Sequence, residues 1–419
     1  MQTRRKTLYY GWIITVTLAI TETISYGIIY YAFSVFITPM EAELGWSRTD
    51  LTGGFSLGLL VMAAMAFPVG NWVDKYGSRL LMTLGSICAS ILVMGWSQVN
   101  QQWEFYLVWA GLGLCASMVL YEPAFAVMAT WFVRRRGRAL AIITFAAGLA
   151  STIFVPFSDY LLNAVGWRDA ILLLGIFLGV TTIPLHALIL RRRPADLGLV
   201  PDGEDNAIEI HQSAPVSFSL GDALHSRFFW VLTVAFGLSA LSSAAIRVHF
   251  IPLLIDNGIN PSRAAWASGT IGLMQVAGRV VFAPLEARFS ARTMVTGVFV
   301  MQALSIMFFL PGISLFIVGI FLVIFGTSYG AKTLARASVI AELFGASHYG
   351  RISSVMSIFL TIAGTLAPVG AGLLYDRFGN YDMVLWVAMI LGVFAVGVMF
   401  LSKPDIKSSL TLQSAVANE

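Results

Sequence analysis

The sequence predicts an all-α membrane protein with twelve transmembrane helices in two pseudo-symmetric six-helix bundles. Three observations lead there. The 419 residues are 58% apolar and 11% charged, with a mean hydropathy of +0.80, whereas soluble domains carry roughly 25% charged residues. The apolar runs are about 20 residues long, enough to cross a ~30 Å hydrocarbon core. The chain also overlies itself at an offset of 213 residues: Pro39 falls on Pro252, Gly45 on Gly258, Arg79 on Arg292, Gly113 on Gly326, Gly137-Arg138 on Gly350-Arg351, Gly166 on Gly379 and Asp169 on Asp382. The matches sit at corresponding ends of corresponding spans, which marks an internal repeat. Two similar membrane halves are the signature of a secondary transporter, with its site where the halves meet near the midplane.

In order, the first-half spans are placed at 11–37, 51–73, 80–98, 103–132, 138–163 and 168–190, and the second-half spans at 228–254, 262–286, 293–311, 313–344, 351–375 and 382–402. Charge or a helix breaker bounds each one. The first follows Arg4-Arg5-Lys6, the second ends at Asp74-Lys75, and the third begins beside Arg79. Arg134-Arg135-Arg136 separates the fourth from the fifth, Gly166 the fifth from the sixth, and Arg191-Arg192-Arg193 ends the sixth. Arg227, Pro261, Arg292, Pro311-Gly312, Arg351 and Asp382 open the second-half spans or lie between them. Gly54…Gly58 and Gly326…Gly330 have the small-xxx-small spacing that lets helix backbones approach closely in lipid. Gly54-Phe55-Ser56-Leu57-Gly58 also fits a nucleophile-elbow pattern, but that motif needs a strand-turn-helix context and this one lies within a hydrophobic span.

Lysine and arginine orient the chain. With both termini cytoplasmic, 18 of the 26 cations fall in cytoplasmic segments, and only Arg48, Arg168, Arg263 and Arg377 fall outside. The net charge of +4 then reflects topology rather than nucleic-acid binding. These features predict a multi-pass protein of the plasma (inner) membrane. Residues 1–190 and 227–404 form the two bundles, 191–226 a cytoplasmic central loop, and 405–419 a cytoplasmic tail disordered from Ser408. Around Ser217–Phe229, apolar Phe218, Leu220, Leu224 and Phe228 alternate with polar residues, predicting a short surface helix. The first span reads as uncleaved, since no small-residue cleavage site follows a short core. Cys88 and Cys115 lie in spans with no disulfide or metal spacing. No glycosylation sequon, metal-ligand cluster or phosphate-binding glycine loop is present, so neither metal nor cofactor is expected.

Several stretches together resemble the major facilitator superfamily, and within it the monocarboxylate and oxalate/formate porter branch. Gly70-Asn71-Trp72-Val73-Asp74-Lys75-Tyr76-Gly77-Ser78-Arg79 looks like the superfamily's loop 2–3 motif, with Lys75 replacing the commoner arginine. Its second-half counterpart, residues 283–292, is eroded, with Ala287 where an aspartate is expected. Phe36-Ile37-Thr38-Pro39, Leu44-Gly45-Trp46-Ser47-Arg48, residues 131–141, Gly166-Trp167-Arg168 and residues 193–203 are similar to branch-specific motifs. The resemblance covers residues 10 to about 400. It implies a gating latch at Asp74, Arg79 and Arg138, although these charges equally suit anchoring at lipid headgroups.

An ionisable residue at mid-bilayer costs roughly 2.5–3.5 kcal/mol on insertion scales, so each is a functional candidate. The family fold implies a cavity lined by spans 1, 4, 7 and 10. Glu22 (span 1) and Glu122 (span 4) then bring acids to the cleft, while Arg247 (span 7) and Lys332 and Arg336 (span 10) bring cations. Arg279, in Gly278-Arg279, matches the span-8 Gly-Arg that the branch uses to hold a substrate carboxylate, and a guanidinium grips a carboxylate through two parallel hydrogen bonds. Gln275 lies one turn away on the same face. Tyr121 matches a substrate-facing tyrosine of the branch. Tyr26 and Tyr30 follow Glu22 on one helical face, and Tyr329 shares the face of Lys332 and Arg336. The branch usually has small or apolar residues at those last two positions. Two readings compete for them: a second carboxylate site, or ion pairs with Glu22 and Glu122. Glu22 is either a proton-exchanging acid or a permanently ionised partner of Lys332. Arg247 and His249 are expected at the cavity mouth, and His186 and His348 in solvent. The sequence thus predicts a secondary carrier of small organic anions, most simply a proton-coupled monocarboxylate symporter, with an organic anion exchanger and a non-transporting membrane sensor as rivals. Its partners would be a carboxylate, protons and the lipid bilayer.

Overall fold

A computed structural model describes residues 9–203, 219–286, 288–344 and 349–401. Ser217, Phe218, His348 and the tail from Ser408 lie outside the described residues. Twelve long helices are present: α1 Tyr10–Leu44, α2 Arg48–Tyr76, α3 Ser78–Trp96, α4 Gln102–Trp131, α5 136–165, α6 167–189, α7 Arg227–Asp256, α8 Pro261–Glu286, α9 Ala291–Met307, α10 Leu315–Phe344, α11 Tyr349–Phe378 and α12 Asp382–Leu401. Each begins and ends within a few residues of its expected span, except that α1 runs on to Leu44.

The repeat has a physical basis. Gly45 and its counterpart Gly258 have φ of +67° and +80°, and Gly166 and its counterpart Gly379 have +81° and +71°. These left-handed positions stop or bend a helix, and an L side chain is strained there. Arg79 donates to the carbonyl of Ala187 at 2.8 Å. At the same offset, Arg292 donates to that of Phe400 at 3.3 Å, so each arginine satisfies the frayed end of its bundle's last helix. Gly113 meets Gly58 so closely that an added Cβ would lie 2.0 Å from the Gly58 carbonyl oxygen. The α2–α4 crossing therefore tolerates only glycine. In the related α8–α10 crossing, Gly330 packs as tightly on the Gln275 carbonyl.

Two helices that border the interface between the halves are irregular. In α1, residues Tyr26–Tyr31 form a π-helical turn, a feature common at functional sites. In α4, Pro123 has no N–H to give Val119, and Leu120 adopts an extended conformation (φ −91°, ψ −162°) that breaks the helix just before Tyr121.

The loop from α6 docks on the first half. Asp202 accepts backbone N–H bonds from Val133, Arg134 and Arg135 at 2.8–3.2 Å. Burial alone would raise its pKa, but these donors outweigh it and hold the pKa below its ordinary value. The expected surface helix is Leu220–His225, opened by a Ser219–Asp222 capping box. Leu220, Leu224 and Phe228 pack against the core of the second half.

Candidate functional site

The halves meet along α2 against α11, α5 against α8, and the far part of α1 against α7. One end of this interface is closed by polar contacts. Arg48, 3% exposed, donates to both oxygens of Asp256 at 2.8 and 3.0 Å, to Glu41 at 2.9 Å and to the Tyr381 hydroxyl at 2.8 Å. Its guanidinium lies 3.9 Å from the centre of the Tyr375 ring. The backbone N–H and hydroxyl of Thr49 donate to Asp376. Asn163 donates to Ser262 at 3.3 Å. These last two contacts are related by the repeat, since Ser262 and Asp376 are the counterparts of Thr49 and Asn163.

His249 lies beneath this gate, 1% exposed. Its Nε2 is 2.9 Å from the Pro368 carbonyl, which only accepts, so Nε2 carries the proton. Nδ1 then accepts from the Tyr381 hydroxyl at 2.9 Å.

Further along, Thr152 donates to the Gly269 carbonyl at 2.7 Å. Below that lies an internal cavity of about 30 Å³, lined by residues of both halves including Tyr30, Tyr31, Ser151, Arg247, Ser268 and Gln275. It holds little more than water. Arg247 crosses the interface to donate to the Tyr30 hydroxyl at 2.8 Å, with its guanidinium 4.5 Å from the Tyr329 ring centre. Among the described residues no carboxylate pairs with it. Both expectations for the cavity mouth are corrected: Arg247 lines the cavity itself and His249 belongs to the gate. Their depth had been judged from the end of α7, which the gate covers.

Gln275, 4% exposed, lines the same cavity as Tyr31. Arg279, one turn on, bridges the halves lower down by donating to the Thr144 carbonyl at 2.9 Å. Tyr26 and Tyr121 pack at 4.7 Å between ring centres. Tyr26 and Tyr30 are neighbours at 6.4 Å, so the tyrosine cluster of α1 and α4 is real. Glu22 is 0% exposed, and neither of its oxygens has a hydrogen-bond partner.

The cross-cleft ion pair expected for Lys332 is not made in this conformation. Its ammonium turns into its own bundle, donating to Ser243 at 2.9 Å and Ser239 at 3.2 Å. Neutral oxygens there solvate a charge that Glu22 does not reach. Arg336 lies one turn further along α10, partly exposed, and Glu122 is exposed. In the expected latch, Arg79 is engaged with α6 and Arg138 is exposed, while the Asp74 side chain lies outside the described residues. His186, expected in solvent, is 0% exposed and bonded to the Ser86 hydroxyl at 2.8 Å; a polar pair inside one bundle had taken the place of water.

Two related six-helix halves, a closed end and a polar cavity between them define a membrane transporter rather than an enzyme. The Major Facilitator Superfamily family model matches residues 18–255 and 238–416. The chain is 24% identical to the uncharacterized MFS-type transporter YcxA of Bacillus subtilis strain 168, over 90% of this chain and 92% of that one. It is 26% identical to Monocarboxylate transporter 11 of Homo sapiens (89% and 78%) and 24% identical to Monocarboxylate transporter 13 of Rattus norvegicus (97% and 92%). Its fold is similar to an inward-facing, unoccupied crystal structure of a bacterial homolog of the human lysosomal transporter Spinster, with a TM-score of 0.76, 15% identity and coverage of 94% and 97%. The chain belongs to the major facilitator superfamily.

Proposed function

We propose that the protein carries small organic anions across the membrane by alternating access, coupled to protons, with both termini cytoplasmic and the closed gate facing outward. The observation that carries this reading is Arg247, a guanidinium facing an internal cavity with no carboxylate partner among the described residues. An uncompensated charge at that depth is costly, and an anionic substrate would relieve the cost. Arg279 is the second clamp: it leaves the Thr144 carbonyl when a carboxylate offers it two parallel bonds. The Tyr26, Tyr30, Tyr121 and Tyr329 hydroxyls and the Gln275 amide orient the anion. Glu22 is the proton site. With both oxygens lacking donors it is suited to the neutral acid form, and it becomes solvated when the halves rock apart.

The test is uptake of a labelled monocarboxylate into proteoliposomes. Arg279→Lys keeps the charge but loses the fork, and Arg247→Gln loses the charge; each is expected to cut uptake at least tenfold, the scale of one charge-assisted bond. Glu22→Gln is expected to keep substrate exchange and lose accumulation driven by a pH gradient. Normal uptake in both arginine variants overturns the anion clamp, and gradient-driven accumulation by Glu22→Gln moves the proton site elsewhere.

A further inference from the structure

Resting on that reading, we infer that the space between the halves, once they rock apart and widen the cavity, takes an anion with two negative ends, gripped at one end by Arg247, which lines the cavity, and at the other by Lys332. The two cations share one aromatic neighbour. The Arg247 guanidinium lies 4.5 Å from the centre of Tyr329 and the Lys332 ammonium 4.9 Å from it, both within cation–π reach.

The charges that act on Lys332 are Arg247 and Arg336, both of its own sign. Lys332 is held by neutral oxygens alone, from Ser239, Ser243 and Gln302 at 2.9–3.5 Å. Neutral oxygens satisfy an ammonium's hydrogens but cancel none of its charge. Clustered like charges of this kind repel, and the repulsion rises as the local dielectric falls.

Among the described residues, the facing half offers no compensation in this conformation. It presents tyrosine hydroxyls, and Glu22 neither pairs with a cation nor accepts a hydrogen bond. A monoanion on Arg247 would leave the field around Lys332 positive. A second carboxylate, displacing Lys332 from Ser243, balances it. Both cations lie within 5 Å of the Tyr329 ring centre, so they are close to each other, which favours a short diacid over a long one.

The experiment measures binding of succinate and of its monomethyl ester, which has the same carbon backbone and one charge fewer, to the purified full-length protein. Thermal unfolding reports the binding, because a ligand that binds only the folded state raises apparent stability. Succinate is expected to bind the unaltered protein about tenfold or more tightly than the ester, the scale of one charge-assisted hydrogen bond. Lys332→Gln is expected to bring that ratio near one with little change in ester affinity, and Lys332→Arg to restore part of it. Equal affinity for diacid and ester in the unaltered protein overturns the inference without any variant having to fold. So does an undiminished ratio in Lys332→Gln. If neither compound binds at all, the anion-carrier reading itself fails and this inference falls with it.

Discussion

The outer corners of the two halves use one acidic position in opposite ways. In the first half, Glu43 accepts from Trp167 at 2.6 Å and from Arg168 at 2.8 Å, and Arg168 also donates to the carbonyls of Ser97 and Val99. The acid is used up within its own bundle, tying α1 to α6 and to the loop before α4. Its counterpart in the repeat is Asp256. There the position equivalent to Arg168 is Tyr381, which is uncharged, so Asp256 has no arginine from that position. Arg48 arrives from the other half instead. Differences at two paired positions, Tyr381 against Arg168 and Arg48 against Pro261, turn a brace within one bundle into a bond between the halves.

The sharpest way to break this comparison is to remove each arginine in turn. Breaking a buried pair costs about 3–5 kcal/mol, and the partial exposure of Asp256, 26%, reduces this. Arg48→Ala is expected to cost about 2 kcal/mol of gate closure, a shift of roughly thirtyfold towards the open end. Spin labels on exposed Gln102 and Arg377 should report a longer distance. Arg168→Ala should leave that distance alone and lower thermal stability by about 1 kcal/mol, because its pair with Glu43 is more exposed. If both variants open the gate equally, the corners are equivalent.

A second comparison sharpens the repeat within the bundles. A methyl at Gly113 would strike backbone, the Gly58 carbonyl oxygen at 2.0 Å, whereas one at Gly326 would meet the Met274 side chain at 2.4 Å. The Met274 atom is Cβ, which moves only with its own backbone, so the difference rests on how close the approach is and on Gly113 meeting three Gly58 backbone atoms within 2.9 Å. Gly113→Ala is therefore expected to destabilise by about 2–3 kcal/mol and Gly326→Ala by about 1 kcal/mol, measured as unfolding midpoints in the same detergent.

The smallest expected effect belongs to the loop anchor of the first half. Asp202 is held below its ordinary value by three backbone donors, so its stabilising contribution is present above the ordinary carboxylate range. It is lost as pH falls through the lowered value. Asp202→Ala should cost about 1 kcal/mol at neutral pH, and the gap between variant and parent should close on acidification. A gap that persists at low pH would mean that the anchor acts through packing alone.

Much of this architecture was legible in the sequence because helices in lipid satisfy their backbones locally and announce themselves as apolar runs. The offset glycines were legible too, because positive φ and close backbone approach both demand glycine. What escaped was whatever depends on residues far apart in the chain. Arg48 reads as one more charge at a membrane surface until Asp256 and Tyr381, over 200 residues on, are seen beside it. His186 and Arg247 were misplaced for the same reason: a polar residue in an apolar run does not reveal whether it faces water, a serine or a cavity. That Tyr26 and Tyr30 share a face was read from helical spacing, and Tyr121 came from the family resemblance, but the π turn at Tyr26–Tyr31 was not foreseen, since no residue type requires one.

That turn has a consequence of its own. Between Gly27 and Ala32 the backbone bonds five residues apart instead of four, so one residue is spent without advancing the usual helical register. Everything after it is rotated by about 100° relative to an unbroken helix. Glu22 and Tyr26 lie before the offset, and Phe36, Met40 and Glu41 after it. α1 is thus a crankshaft rather than a rod. The throw in the middle allows one face to line the cavity between the halves while another, which straight geometry would have turned aside, meets the gate.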